Sequence, residues 1–423
     1  MNHQQLILFF LQVCMMLATA LVFGQIMRKL HQPIVVGELM GGILLGPTFL
    51  GVFAPNFYNQ LFLTEGPILM SREAVLKIGM LFFLFVAGLE VNMFHLKQRG
   101  LSIALTSILG GLVPFCLGFG LVLFLPGLWG PQAHEKGLIF ALFMGTALSI
   151  SALPVIAKIL MDLSLIQKQI GTIILTAATI DDLFGWSVFA VILGTLDPDT
   201  PNRHLGVTLG LVVGLVIFIL GLGHLLRRPI LYWARSFSAW PSGLIGLSMV
   251  LVLAAAALAE SIHIHAIFGA FLVGIALGQN FELERDNYAY KIIYQLAVSF
   301  FAPLYFVSIG LKADFAAHFD LSLVLLVFFV ASAGKIGGAC LGAWIGGMTF
   351  RAALAVGFGM NARGAVEMIL ASVALEYQLI DQRVFVALIL MAVMTSMLSG
   401  SFLLRLTPKT LREAVQSQSV AEG

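Results

Sequence analysis

The sequence predicts an all-α polytopic membrane protein of about thirteen transmembrane helices, arranged as two inverted repeats with one interrupted helix in each. Three observations predict it. The chain is too apolar for a soluble domain. Its apolar residues fall into long runs separated by short polar breaks. Glycine-rich blocks in the first half recur, in the same order, in the second.

The composition is 60% hydrophobic and 10% charged, with a mean hydropathy of +1.00. A soluble domain carries about 25% charged residues, so this chain can bury its surface only in lipid. The formal net charge of +2 says little; the placement of the charges says more. The three cysteines, Cys14, Cys116 and Cys340, are far apart in apolar runs and match no metal or disulfide spacing. The first apolar run has no basic leader and no small-residue cleavage site before Arg28-Lys29, so it reads as a helix rather than a signal peptide.

Spanning the bilayer takes about 20 apolar residues. Spans are expected near 5–27, 33–53, 73–91, 101–126, 137–161, 168–195, 205–226, 242–260, 264–280, 292–312, 321–347, 351–376 and 381–405, with a short tail at 407–423. One side of the membrane receives Arg28, Lys29, Lys97, Arg99, Lys158, Lys168, Arg227, Arg228, Arg235, Arg285, Lys291, Arg351, Arg405, Lys409 and Arg412. The other receives Arg72, Lys77, Lys136, Arg203, Lys312 and Arg383. The positive-inside rule then puts the tail in the cytoplasm and the N-terminus outside, which requires an odd number of spans. The expected setting is the inner (cell) membrane of a prokaryote, with no room in the chain for a soluble regulatory domain.

Gly37, Gly42, Ile43, Leu45 and Gly46 in span two match Gly269, Gly274, Ile275, Leu277 and Gly278 in span nine. Gly88-Leu89 in span three matches Gly310-Leu311 in span ten, and Gly110-Gly111 in span four matches Gly337-Gly338 in span eleven. Seven spans separate the partners, so the copies run in opposite directions, as in secondary transporters. The halves are residues 5–195 and 242–405, joined by a linker helix at 205–226 within one transporter unit.

An ionisable group at the bilayer centre costs roughly 2.5–3.5 kcal/mol. Six such residues lie inside apolar segments: Glu38, Asp181, Asp182, Lys335, Arg363 and Glu367. Asp181 and Asp182 sit mid-span in TAATIDDLFGW. Adjacent helical side chains point about 100° apart, so one can face a binding cavity while the other faces a neighbouring helix. Ordinary polar glue between membrane helices is Ser, Thr, Asn or Gln; two adjacent acids point to cation and proton binding. Lys335 is the lone charge of its helix and needs a carboxylate partner or must lose its proton. Asp181 is the expected partner, leaving Asp182 for the ion. Arg363 and Glu367, four apart in MNARGAVEMIL, read as a structural ion pair in an interrupted helix loosened by Gly364. The corresponding first-half segment, GTALSISALPVIAK, is interrupted before Pro154 and offers Thr146, Ser149 and Ser151 as candidate ion ligands. Glu38 reads as a helix-start acid or as an acid in an ion funnel. His263 and His265 flank an outer loop and are not assigned a role. No nucleotide loop or metal-ligand spacing is present, so neither an enzyme nor a cofactor is expected.

These blocks resemble a known family. HQPIVVGELMGGILLGP, LFFLFVAGLEV, HAIFGAFLVGIALG, PLYFVSIGLKA and NARGAVEMIL look like the recurring motifs of the monovalent cation:proton antiporter-2 family, over residues 5–405. The resemblance implies thirteen helices, a homodimer, two discontinuous helices crossing at the ion site, and a mobile core that moves like an elevator. Asp181-Asp182 is similar to the two-aspartate motif of electrogenic sodium/proton antiporters. That match makes Asp182 the ion carboxylate, Asp181 the partner of the membrane lysine, and Lys335 that lysine. The acid of span twelve often follows the arginine by two residues in relatives; here Glu367 follows by four.

The expected activity is secondary antiport of a monovalent cation, Na+ first, against H+ by competition at Asp182. The alternatives are K+/H+ antiport at the same residues, an organic-anion/sodium symporter, and the membrane part of a channel-like or sensor complex. Na+, K+ or Li+, H+, the lipid bilayer and a second copy of the chain are the expected partners.

Overall fold

A computed structural model describes residues 2–30, 32–62, 66–90, 100–163, 165, 168–196, 205–236, 242–281 and 288–406. The expected tail at 407–423 and the loop charges Lys97, Arg99, Arg203, Arg285, Lys409 and Arg412 lie outside these residues. Among the described residues every regular element is helical. The main ones are α1 (His3–Lys29), α2 (Ile34–Leu45), α3 (Pro67–Leu89), α4 (Gly100–Phe124), α5 (Gly137–Ser149), α6 (Leu153–Asp162), α7 (Gln169–Leu196), α8 (Leu205–Ser236), α9 (Ser242–Ser261), α10 (Ala266–Phe281), α11 (Tyr288–Lys312), α12 (Leu321–Ile345), α13 (Phe350–Met360), α14 (Ala365–Glu376) and α15 (Gln382–Leu406).

Nine segments among the described residues are long and apolar enough to cross a membrane, or ten if α13 and α14, bent by 43°, form one broken span. Each expected span has a helix or helix pair at its place. The difference from thirteen lies in α3, which carries Arg72, Glu73 and Lys77, and in α5 and α10, which are short. Chain breaks follow backbone chemistry. Gly46 ends α2 because the residue before Pro47 is sterically pushed out of the helical region. Within α11 a π-helical turn, Ala297–Phe301, precedes Pro303, whose ring nitrogen has no hydrogen to donate to the preceding turn.

The chain forms two compact units. The first comprises Met1–Met93 and Ala190–Ala316. Its helices cross on glycines that leave no room for a side chain. A Cβ on Gly42 would lie 2.1 Å from the Val307 carbonyl oxygen and 2.8 Å from Gly310 Cα. A Cβ on Gly274 would lie 2.2 Å from the Phe85 carbonyl oxygen and 2.8 Å from Gly88 Cα. So α2 crosses α11 in the same way that α10 crosses α3. Gly37 likewise sits on the Phe23 carbonyl of α1, and Gly269 on the Ala255 carbonyl of α9. Many large apolar side chains of α1 remain exposed, among them Phe10, Leu21 and Val22, as suits a face turned to lipid.

The second unit comprises Phe94–Phe189 and Ala317–Gly423. It holds α4, α5, α6, most of α7, and α12 to α15. Its centre is dense: residues Ala365 to Ala374 of α14 are all buried. All five mid-membrane charges other than Glu38 fall in this unit, and all five are buried.

Candidate ion site

The site is built where two helices stop inside the second unit. The last four carbonyls of any helix have no partner within it, and burying them unbonded is costly. At the end of α5 each is satisfied. Thr146 O accepts from the Ile150 amide at 3.1 Å. Ala147 O and Leu148 O accept from the Arg363 guanidinium at 2.9 and 2.5 Å. Ser149 O accepts from Lys335 Nζ at 2.5 Å. Two buried cations thus meet the negative end of the α5 dipole, the arrangement a helix C-terminus favours.

The end of α13 is closed by the other break. The Asn361 amide donates to Gly357 O and Phe358 O, and the Ala362 amide to Gly359 O at 3.4 Å. Met360 O accepts from Ser151 Oγ at 2.9 Å. One backbone bond, from the Ala152 amide to Ala362 O at 3.0 Å, ties the two breaks directly. Ser396 Oγ of α15 donates to Arg363 O. Each interrupted helix therefore caps its counterpart. Gly185 brings α7 against this crossing, since a Cβ there would overlap Ile150 Cδ1 at 2.2 Å.

Against the crossing stands Asp181. Its Oδ2 lies 2.5 Å from Lys335 Nζ, with both side chains almost wholly buried. Ser107 Oγ of α4 donates to Oδ1 at 3.5 Å, and Ser151 Oγ, whose hydrogen goes to the nearer Met360 O, lies 3.5 Å from Oδ2. Asp182 is 3% exposed on the adjoining helical position. Arg363 also approaches Glu367, with 3.7 Å between Nη1 and Oε2. Gly364 interrupts the helix between those two, so the spacing does not come from a continuous helical face. The carbonyls of α5 hold Arg363 more closely than Glu367 does.

Of the other expected ligands, Ser149 contributes its carbonyl to Lys335. Thr146 Oγ1 donates within its own helix to Leu142 O at 2.7 Å. Glu38 is buried in α2 of the first unit. Sequence reasoning missed Ser107 and Ser396. Each is a small hydroxyl in an apolar helix, and Ser107 stands one turn before the Gly110-Gly111 pair.

The comparisons with known proteins agree with this architecture. The model of the sodium/hydrogen exchanger transmembrane family matches residues 16–407. The chain belongs to that family. It is 30% identical to the Na(+)/H(+) antiporter NhaS4 of Synechocystis, covering 96% of this chain and 99% of that protein. It is 33% identical to Cation/H(+) antiporter 17 of Arabidopsis thaliana over 94% of its own length, but spans only 48% of that relative. The solved sodium proton antiporter MjNhaP1 of Methanocaldococcus jannaschii superposes with a TM-score of 0.61 at 18% identity, covering 94% of this chain and 96% of that one. The exchanger family and the apolar helices together make this chain an integral membrane protein.

Proposed function

We propose that the chain exchanges a monovalent cation for protons at Asp182, with Asp181 and Lys335 as a neighbouring ion pair. One observation carries the reading. Among the described residues the second unit buries three carboxylates, Asp181, Asp182 and Glu367, against two cations, Lys335 and Arg363. With all five charged, one negative charge is left over in a low-dielectric cluster, where an uncompensated charge is expensive. A proton or a monovalent cation removes it equally well. The two then compete for one place, and competition at one place is sufficient for exchange. Asp181 is paired with Lys335, and Glu367 lies 3.7 Å from Arg363; the resemblance of Asp181-Asp182 to the two-aspartate motif is what makes Asp182 our choice for the ion carboxylate.

The names of the relatives support cation/proton antiport as the class, and Na+ as the first cation to test. The yeast K(+)/H(+) antiporter 1, 28% identical over 98% of this chain and spanning 48% of that protein, favours K+ as the second. An electrogenic cycle fits a site with two acids and a lysine: if Lys335 gives up its proton when the cation arrives, two protons leave for one charge taken. Movement of the core past a fixed scaffold fits the repeat. The glycine contacts support that repeat, because Gly42 on Val307 and Gly274 on Phe85 are the same contact under the sequence offsets. A homodimer, an outside N-terminus and a prokaryotic cell membrane complete the proposal.

Purified protein in proteoliposomes with an internal pH dye tests it. Addition of Na+, K+ or Li+ should move protons in the opposite direction. Silence with all three ions would end the antiport reading. Charge movement on a solid-supported membrane should accompany exchange; a neutral cycle would remove the two-proton scheme.

A further inference from the structure

Glu367 is a buried acid whose oxygens go unbonded. It is 2% exposed in the first turn of α14, and among the described residues neither of its carboxylate oxygens accepts a hydrogen bond. A first-turn acid can steady the helix dipole, but one that caps the turn accepts from its amides, and Glu367 accepts from none. Arg363 stands beside it and is bonded elsewhere. Arg363 Nη1 is 3.7 Å from Glu367 Oε2, while the same nitrogen donates to Ala147 O at 2.9 Å and Nη2 donates to Leu148 O at 2.5 Å. Arg363 Nε is itself buried without an acceptor. The elements packed on α14 offer no other counter-charge. They are chiefly α5 and α15; α5 has no charged residue, and α15 has only Arg383 and Arg405, near its ends. Lys335 acts on Glu367 through its field alone, since its ammonium is bonded to Asp181 and the Ser149 carbonyl. An ionised carboxylate has about four acceptor sites, and burying one with none filled is far costlier than burying the neutral acid.

We propose that Glu367 is a second proton-binding carboxylate of the exchanger, holding a proton while Arg363 sits on the α5 carbonyls and releasing it to water when Arg363 turns to it. The inference rests on the antiport reading and deepens it. With Glu367 protonated and Asp182 ionised and empty, the five buried groups sum to zero charge. A cation at Asp182 makes the sum positive, and loss of the Glu367 proton restores it to zero. The link runs through charge rather than contact, because Lys335 lies in the field of Asp182 as well as of Glu367. Arg363 is placed to receive the new carboxylate. Its Nη1 has only to close from 3.7 Å to about 2.8 Å, the length of a charge-assisted hydrogen bond, and its Nε has no bond to give up. Asp182 yields its own proton before the cation enters, and Glu367 yields the second. Two protons then leave for one cation, and Lys335 keeps its own.

The test compares wild type, Glu367→Gln and Glu376→Gln. Glutamine keeps the shape of the protonated acid and cannot release a proton. Glu376, exposed at the far end of α14, is the control for the same change in the same helix. Each protein, in lightly buffered detergent with a pH dye, receives a saturating amount of whichever of Na+, K+ or Li+ drives wild-type exchange, and the protons released per protein are counted. Charge movement on a solid-supported membrane is read on the same three. Glu367→Gln should release one proton fewer than wild type, move no net charge during exchange, and melt close to wild type. Glu376→Gln should match wild type throughout. Equal proton release by wild type and Glu367→Gln would overturn the Glu367 assignment and leave the antiport reading standing. A fall in melting as large as that of Arg363→Ala would do the same, because it would mark a fixed ion pair. The release is counted at equilibrium, so a variant that exchanges slowly still decides. A wild type that moves no protons with any of the three ions defeats the antiport reading itself.

Discussion

Replacing Lys335 by methionine tests the arrangement at its most loaded point. The substitution keeps the length of the side chain and removes its charge. It strands Asp181, whose carboxylate is buried with Lys335 at 2.5 Å, and it orphans the Ser149 carbonyl at the end of α5. Removing one member of a buried pair costs about 3–5 kcal/mol, and an unsatisfied buried carbonyl about 1–3 kcal/mol. These overlap, because the stranded acid can take a proton and become neutral, so a loss of about 4 kcal/mol is expected. At about 2 °C per kcal/mol, the low end for larger chains, melting in detergent should fall by about 8 °C. Acidification neutralises the stranded carboxylate and should return part of that loss. The double variant Asp181→Asn with Lys335→Met leaves no buried charge behind at this pair. Neutral replacement of both partners is often nearly without cost, so the double variant should melt well above Lys335→Met. A coupling energy of at least about 2 kcal/mol should emerge from the cycle. Additive single effects would refute the pairing and with it the separate roles of the two aspartates.

Four further outcomes follow from the same geometry. Asp182→Asn should abolish cation-driven proton movement while the protein keeps its melting temperature within a few degrees; normal exchange in that variant would defeat the site assignment. The apparent KM for the cation should rise as the pH falls, since a proton at Asp182 excludes the ion; a KM independent of pH in proteoliposomes would mean separate sites. Arg363→Ala should destabilise by about 3 kcal/mol, because it leaves the Ala147 and Leu148 carbonyls unbonded and Glu367 unpaired. Partial recovery in Arg363→Lys would locate the effect in the charge, and equal melting of all three proteins would show that the carbonyls have other partners. Gly274→Ala should cost about 1–3 kcal/mol, since its methyl would collide with the Phe85 carbonyl; melting is the measure, and an unchanged value would count against that helix crossing.

Much of this was legible in the sequence because membranes constrain what a chain can carry. Lys335, alone among apolar residues, needed a carboxylate partner or had to lose its proton, and the structure places Asp181 beside it. The glycine blocks, read in the sequence as a repeat, fall at helix crossings in the structure, where only residues without side chains let Gly42 reach Gly310 or Gly88 reach Gly274. The role of Arg363 was harder to read. Sequence spacing offered Glu367 four residues away, but the break at Gly364 lets the guanidinium reach back to α5 carbonyls more than 200 residues earlier in the chain. Carbonyls are present at every residue and leave no trace in sequence, so a cation that binds them cannot be paired by inspection. Ser107 was missed for a related reason. A serine or threonine in a membrane helix often bonds its own preceding turn, as Thr146, Ser187 and Ser248 do here, and nothing local separates such a residue from one that reaches another helix.

The closed accounting of helix ends bears on how exchange can be coupled to motion. Every one of the last four carbonyls of α5 has a partner, and so does each of those of α13. Three of the eight are held by the two cations, and one by a serine that also reaches Asp181. Any event that draws Asp181 away from Lys335 therefore acts on an ammonium that is also closing a helix, and through Ser151 on the end of α13. The charge state of the acids and the integrity of the crossing are thus one network rather than two. In the proposed cycle, a cation at Asp182 would alter the field at Lys335, whose hydrogen-bond partners among the described residues are the Asp181 carboxylate and the Ser149 carbonyl. If it gives up its proton, its hold on that carbonyl weakens and the end of α5 loses part of its cap. If the proposed exchange holds, such a network would favour one geometry with the site empty and another with it filled, which is the bistability that alternating access needs.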